Sequence, residues 1–372
     1  MECPHIPEIS HGEYMEAVYR KMLHRHLPMA GFLELTERCN LNCAHCYINR
    51  PPGDREAQKR ELTTPQWQHL LDDMAGAGVL GLVLTGGEIL LRDDFREIYA
   101  HAKKRGMIIS VFTNGTLIDP GLADFLRDLT PFMVEITVYG RTPATYEAVT
   151  RVPGSYERCL RGIDLLLARG IPLALKTMVM TLNAHELWDL KDWAEGLGVK
   201  FRYDMALNAR VDGGQQPVSL RLSPEEVVEF DRQDKKRYQG WLEFAEKFVG
   251  PHDSEYLYSC GAGLASFSID SYGRMFPCVI SRGASYDVTQ GSFAEGWQEF
   301  LPKLRLQKPR KDYPCGRCEL LALCEQCPGW SQLEHGVPDR PVDYLCRVAH
   351  LRAQLLGLEE GKSSGRPDHL AK

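Results

Sequence analysis

The stretch GFLELTERCNLNCAHC at residues 31–46 joins a short apolar run to three closely spaced cysteines. GFLEL reads as a β-strand, since a brief apolar run without helical spacing is the mark of a buried strand. Cys39, Cys43 and Cys46 then fall on the loop that leaves it. Working outward, strand-like runs recur at VLGLVLTGG (79–87), MIISVFTNG (107–115), FMVEITVYG (132–140), PLALKTMVM (172–180) and KFRYDMA (200–206). Helical patterns separate them. Thr64 and Pro65 read as an N-cap and a first helical position, and Trp67, Leu70, Leu71 and Met74 follow at helical spacing. Residues 94–105, 121–129 and 185–197 read as further helices. Ser155 reads as the cap of another, which carries Cys159, Leu160, Ile163, Leu166 and Leu167 on one face. Six strand–helix units with near-continuous apolar strands imply an α/β fold, a parallel sheet covered by helices. They fit a partial (β/α)6 barrel or a doubly wound sheet, and in both the chemistry gathers at the C-terminal strand ends.

The rest of the chain sets the bounds. Its 372 residues are 44% hydrophobic, enough for a substantial core. A net charge of −6 gives no basic footprint, so nucleic acid is not the expected partner. No apolar run is long enough to cross a bilayer, and MECPHIPEIS lacks the pattern of a secretory signal. The expected compartment is therefore the cytoplasm, where thiols stay reduced and twelve cysteines point to metal ligation or catalysis in place of disulfides. Three cluster near the start and seven lie from Cys260 to Cys346; Cys3 has no assignable role, and Cys159 reads as core.

Three thiolates on one loop can hold three irons of a [4Fe–4S] cube and leave the fourth without a protein ligand. Cys43 and Cys46 alone could instead form a zinc knuckle or a redox pair. The order CNLNCAHCY, followed by TGGE at 85–88 and TNG at 113–115, resembles the radical S-adenosylmethionine (SAM) superfamily over residues 31–207. The resemblance implies a partial (β/α)6 barrel and an open iron that chelates the amino and carboxylate groups of SAM. Reductive cleavage then yields methionine and a 5′-deoxyadenosyl radical that takes a hydrogen atom from the substrate. It also implies SAM contacts from Tyr47 beside the adenine, from Thr85, Gly86, Gly87 and Glu88 near the amino group, and from Asn114. Thr137 is implied toward the ribose and Arg151 toward the carboxylate. Relatives usually carry proline after the glutamate, where this chain has Ile89. Simpler readings make Tyr47 a packing aromatic and Asn114 a turn residue. Arg38 and His45 read as loop surface. Glu135 and Lys176 face each other from neighbouring strands, either as a structural ion pair or, with Arg202 and Asp204, as lining of a substrate cavity.

Residues 208–255 read as a linker. A capping box at Ser223-Pro224-Glu225-Glu226 opens one helix, and 227–250 reads as a bridging helix. Residues 256–350 are rich in Cys, Gly and Pro, as in a small domain that needs metal to fold. FSIDSYGRMFPC suggests a tight hairpin around Gly273. The ordered cysteines Cys260, Cys278, Cys315, Cys318, Cys324, Cys327 and Cys346 resemble the SPASM domain, which binds two auxiliary [4Fe–4S] clusters. That resemblance implies a nearer cluster on Cys260, Cys278 and Cys327, and an outer one on Cys315, Cys318, Cys324 and Cys346. Two departures stand out. The last gap is two residues where three is usual, and Gly261-Ala262-Gly263 replaces a further cysteine, so the nearer cluster has an open iron or a non-cysteine ligand. The competing reading of this region is a pair of zinc ribbons. Residues 1–30 read as an N-terminal extension and 351–372 as a disordered tail.

The expected function is radical SAM chemistry on a ribosomal peptide or protein, giving thioether or carbon–carbon crosslinks or side-chain oxidation. Maturation of a cofactor or haem-type small molecule is the alternative. An iron–sulfur electron carrier or a zinc-binding interaction protein is the non-enzyme alternative. A reductase or ferredoxin would supply electrons, and a separate peptide carrier is expected because only residues 1–30 precede the first strand.

Overall fold

The computed structural model describes residue 21, residues 25–250 and residues 254–358. Cys3, most of the expected N-terminal extension and residues 359–372 of the tail lie outside the described residues. Six strands run parallel: β1 (Ala30–Thr36), β2 (Gly81–Gly86), β3 (Ile108–Thr113), β4 (Met133–Thr137), β5 (Leu173–Met178) and β6 (Lys200–Asp204). Their spatial order is 6-5-4-3-2-1, with no reversal. A doubly wound sheet must reverse its order to place helices on both faces, so this sheet is the unclosed partial barrel. Seven helices lie between β1 and β6: α1 (Arg55–Arg60), α2 (Thr64–Gly76), α3 (Phe95–Lys104), α4 (Pro120–Asp128), α5 (Pro143–Thr150), α6 (Ser155–Leu167) and α7 (Leu187–Gly196).

The register explains which face each strand buries. Leu33, Leu84, Val111, Val134 and Leu173 are lateral neighbours across five strands. This row packs with Trp67, Met74, Ile98, Tyr99 and Ile163 in one apolar core. Alternation then turns Glu34, Ser110, Glu135, Lys176 and Arg202 to the opposite, inner face. Fully burying one such Leu contributes roughly 1.5–3 kcal/mol, which fixes the inside-out assignment of every strand.

Several local expectations shift. The N-cap of α2 is Thr63, which forms a capping box with Gln66, because Thr64 turns its hydroxyl to Asp94 (2.6 Å). Gly154, at φ +71°, begins α6, and Ser155 hydrogen-bonds Thr150 instead of capping (2.7 Å). Helices α1 and α5 carry no strong sequence periodicity and escape a reading based on it. The 227–250 stretch is two helices, α8 (Pro224–Gln233) and α9 (Lys235–Phe248), parted at Asp234, which ends one and caps the other.

The boundary expected at residue 256 does not interrupt the fold. β7 (Ser266–Ile269) adds to the sheet parallel to β1, and the predicted hairpin continues it through β8 (Arg274–Phe276) to β9 (Tyr286–Asp287). A side chain at Gly31 would strike the Phe267 ring, so glycine is what lets β7 lie against β1. Phe267, Met275, Phe293, Trp297 and Leu301 belong to the same core as Leu33 and Leu84. A separate small core unites Ala245, Leu323, Trp330, Val342, Leu345 and Ala349, built from α10 (Pro328–His335) and α11 (Asp343–Leu355). The last of these helices crosses residue 351, so the expected tail begins inside a helix.

Candidate active site

The cysteine loop leaves the C-terminal end of β1 and is closed at its base. Arg50 N–H donates to Glu37 O (3.1 Å), and Cys39 N–H to Arg50 O (3.0 Å). Asn42 and Ala44 donate to the Thr150 and Val149 carbonyls at the end of α5 (3.0 and 2.9 Å), so α5 is a backstop for the loop. Cys39, Cys43 and Cys46 are brought together: negative charge on Cys46 disfavours charge on Cys39 and Cys43. Burial pushes the Cys39 thiol up to about 12, with Glu88 adding to it, and raises Cys43 and Cys46 too. Cys39 Sγ accepts from Leu41 N–H (3.4 Å) and Asn114 Nδ2 (3.8 Å). Buried thiols that resist ionisation are poor nucleophiles alone. A cationic centre ligated by all three removes that obstacle, since ligation drives deprotonation.

The Gly86–Glu88 turn lies at the same barrel end. Gly87 N–H donates to Thr36 O (2.7 Å) and Glu88 N–H to Arg38 O (2.9 Å). Gly86 has φ +132°, and side chains at Gly86 and Gly87 would run into the Thr36 and Arg38 carbonyls. These glycines are required for the turn to meet the cysteine loop. Thr85 is half-buried ahead of them. Glu88 is fully buried. Its carboxylate accepts from Thr113 Oγ1 (2.8 Å), Asn114 N–H (2.8 Å) and Leu90 N–H (3.0 Å). The carboxylate offered to an ammonium group is thus committed to β3. Asn114 serves in a turn and faces the loop at once: its Oδ1 accepts from Thr116 N–H (2.9 Å), while Nδ2 donates to Asn40 (2.9 Å) and toward Cys39.

Inside the barrel, Glu135 is gripped by two cations. Arg202 reaches it through Nε (2.7 Å) and Nη2 (2.6 Å), and Lys176 Nζ lies 2.8 Å away. Burial works against the Glu135 charge, but Arg202 and Lys176 outweigh it and hold the carboxyl below its ordinary range. Lys176 stacks over Phe112 at 3.6 Å, and burial brings its amine down to about 8. Thr137 is half-buried beside Lys176 in register. A cleft of about 1350 Å³, lined by Ser110, Phe112, Met133, Glu135 and Arg202, opens past edge strand β6.

Tyr47 is half-buried and donates to Glu34 (3.2 Å). Arg151 is exposed at φ +58°, closing α5 behind the loop. Arg38, read from the sequence as loop surface, is buried: it forks Glu61 at 2.9 and 3.0 Å, and Arg92 joins the same carboxylate at 3.3 Å. Glu61 lies 23 residues along the chain, beyond the reach of local pattern. His45 is half-buried against Tyr139 (5.1 Å between rings), and burial lowers its pKa to about 4.

Seven cysteines in the C-terminal part fall into two groups. Cys327, pushed up to about 12 by burial, lies close enough to Cys278 and Cys260 to feel their charge. Cys315, raised to about 11 by burial, feels Cys346 and Cys318. The Cys324 thiol donates to Cys346, which lowers Cys346 to about 7 and raises Cys324. Among the described residues no three His, Cys, Asp or Glu side chains surround a single point as one metal ion requires. Cys159 is buried in the core, as expected.

Residues 33–194 match the radical SAM superfamily. The AdoMet-dependent heme synthase of Methanosarcina barkeri is 29% identical over 318 residues, covering 79% of this chain and 89% of that protein. The PqqA peptide cyclase of Ruegeria pomeroyi is 29% identical over 259 residues, 68% of this chain and 67% of that one. Streptococcus suis SuiB, solved bound to S-adenosylmethionine, superposes with a TM-score of 0.66 at 16% identity, covering 92% of this chain and 84% of SuiB, a likeness of fold. Membership implies a [4Fe–4S] cluster and SAM as cofactors. With the thiol loop, the glycine turn and the unclosed barrel in one place, residues 33–194 form a radical SAM domain, and the chain is a radical SAM enzyme.

Proposed function

We propose that Cys39, Cys43 and Cys46 hold three irons of the catalytic cluster and that this enzyme matures a ribosomal peptide or protein. The observation that carries the reading is the hydrogen-bonded junction of the cysteine loop with the Gly86–Glu88 turn at one barrel end. When bound, the cluster supplies the electron that cleaves SAM to methionine and a 5′-deoxyadenosyl radical. The chain's own residues do the rest. The Thr85–Gly87 backbone receives the amino group, since the Glu88 carboxylate is already committed to Thr113 and Asn114. Tyr47 takes the adenine side, Thr137 the ribose side and Arg151 the carboxylate. The barrel wall excludes water from the radical.

Cys260, Cys278 and Cys327 would hold a nearer auxiliary cluster, and Cys315, Cys318, Cys324 and Cys346 an outer one. This allocation is supported by the two thiol groups described above. The functional division is a barrel over 31–207, a linker over 208–255 and an auxiliary-cluster region over 256–350. The cleft of about 1350 Å³ has room for a peptide segment, and the likeness to a peptide cyclase favours that substrate class. The likeness to a heme synthase favours the second reading, a cofactor-sized molecule in the same cleft. A reductase or ferredoxin would donate electrons, and a carrier protein would present a peptide. Among the described residues no helix is long and apolar enough to cross a membrane, and the proposed compartment is the cytoplasm.

Anaerobic reconstitution with iron and sulfide, then dithionite and SAM, tests this. The expected product is 5′-deoxyadenosine at a rate that Cys46→Ala abolishes. A fully loaded protein that leaves SAM intact would end the reading.

A further inference from the structure

One buried charge pair joins the cysteine loop to the C-terminal thiols. Glu34 on β1 is fully buried and faces Thr85 across the sheet. Its carboxylate accepts from the Tyr47 hydroxyl (3.2 Å) and from Arg282 Nη2 (2.5 Å). Tyr47 directly follows Cys46, and Arg282 comes four residues after Cys278. The guanidinium is fixed on every side. Its Nε donates to Val279 O (2.7 Å), Nη1 lies 3.9 Å from Asp270, and its plane covers Phe276 at 4.5 Å. The turn between is short: Ser281 N–H donates to Cys278 O (3.3 Å) and Arg282 N–H to Ile280 O (3.2 Å). A planar fork held this way transmits position, because none of its contacts can shift without breaking another.

We infer that Glu34 and Arg282 are positioning residues that tie the Cys278 segment to the SAM-binding loop, Arg282 anchoring Glu34 and Glu34 anchoring Tyr47. The inference rests on the cysteine loop being the SAM-binding cluster site. Outer partners of a metal site set the orientation of its inner groups, and their loss typically costs roughly 10–100-fold in affinity or activity. A residue far along the chain from the loop therefore controls SAM binding.

The test uses reconstituted full-length protein and the change that SAM produces in the electron paramagnetic resonance spectrum of the reduced cluster. Arg282→Met should require roughly 10–100-fold more SAM for that change. Arg282→Lys, which keeps the charge but not the fork, should lie between. Removing one partner leaves a lone buried charge that can unfold the protein. The double variant Glu34→Gln, Arg282→Met has no such charge and should fold while still binding SAM weakly. The energies of the two single variants should then not add. If Arg282→Met, or the double variant where the single one does not fold, gives the wild-type spectrum at wild-type SAM concentration, the inference is overturned. If the loaded wild type itself shows no response to SAM, the underlying reading fails instead.

Discussion

Two cysteine groups in this molecule are held by different means. Cys39, Cys43 and Cys46 hang from the end of β1, and their loop is fastened by backbone bonds to Glu37, Arg50, Val149 and Thr150. Behind it lies a core that runs from Leu33 to Leu301. Cys315, Cys318, Cys324 and Cys346 sit on single 3₁₀ turns and a helix end, backed by a core of about eight residues. The first site is held in shape by the barrel itself. The second is a lobe with a small apolar core, where cluster ligation, on the proposed allocation, would contribute folding energy.

The largest expected effect comes from removing thiols. Cys46→Ala should abolish 5′-deoxyadenosine formation yet leave amide-exchange protection of β1–β6 unchanged. Cys324→Ala should strip protection from residues 314–356 while β7 and β8 stay protected, because they belong to the barrel sheet. Equal losses in both variants would erase the distinction. Next comes Glu61→Gln, which leaves Arg38 and Arg92 buried without their shared carboxylate. Breaking such a pair costs about 3–5 kcal/mol, read from the urea midpoint, and should be the same with or without iron. Smaller again is Leu33→Ala, at about 2–5 kcal/mol. Leu323→Ala, equally buried in the small core, should instead appear as faster iron loss, with the barrel midpoint unmoved.

The same contrast explains what was legible in the sequence. Near-continuous apolar runs mark the six strands of a helix-covered parallel sheet, so Leu33, Leu84 and Val111 announce themselves. The thiols are legible because chemistry demands their spacing. The hairpin around Gly273 was legible, but not that its first strand, β7, joins β1, since a four-residue strand entering a sheet from over two hundred residues away leaves only Gly31 as a trace. Arg38 was misread because its burial depends on Glu61 and Arg92, not on its neighbours. For Glu88 the pattern locates a turn, and packing sets its hydrogen bonds to Thr113, Asn114 and Leu90.

The smallest effect probes the barrel interior, where Lys176 and Arg202 grip Glu135. Burial lowers the Lys176 amine from 10.5 to about 8 despite Glu135 beside it. In the unfolded chain the amine keeps its proton up to the higher value, so between these limits the unfolded state binds more protons than the folded one. Stability must then rise with pH in that window. Below pH 8 the folded protein bears the full cost of a buried ammonium. As pH climbs toward 10.5 that cost is relieved. Between pH 8 and 9 the gain is about 1 kcal/mol. Lys176→Met should flatten this rise, while Arg202 continues to hold Glu135. The measurement is the difference in urea midpoint between pH 8 and pH 9 for the two proteins. Identical slopes would mean that the amine reaches water through the cleft and that the interior is wetter than its burial suggests.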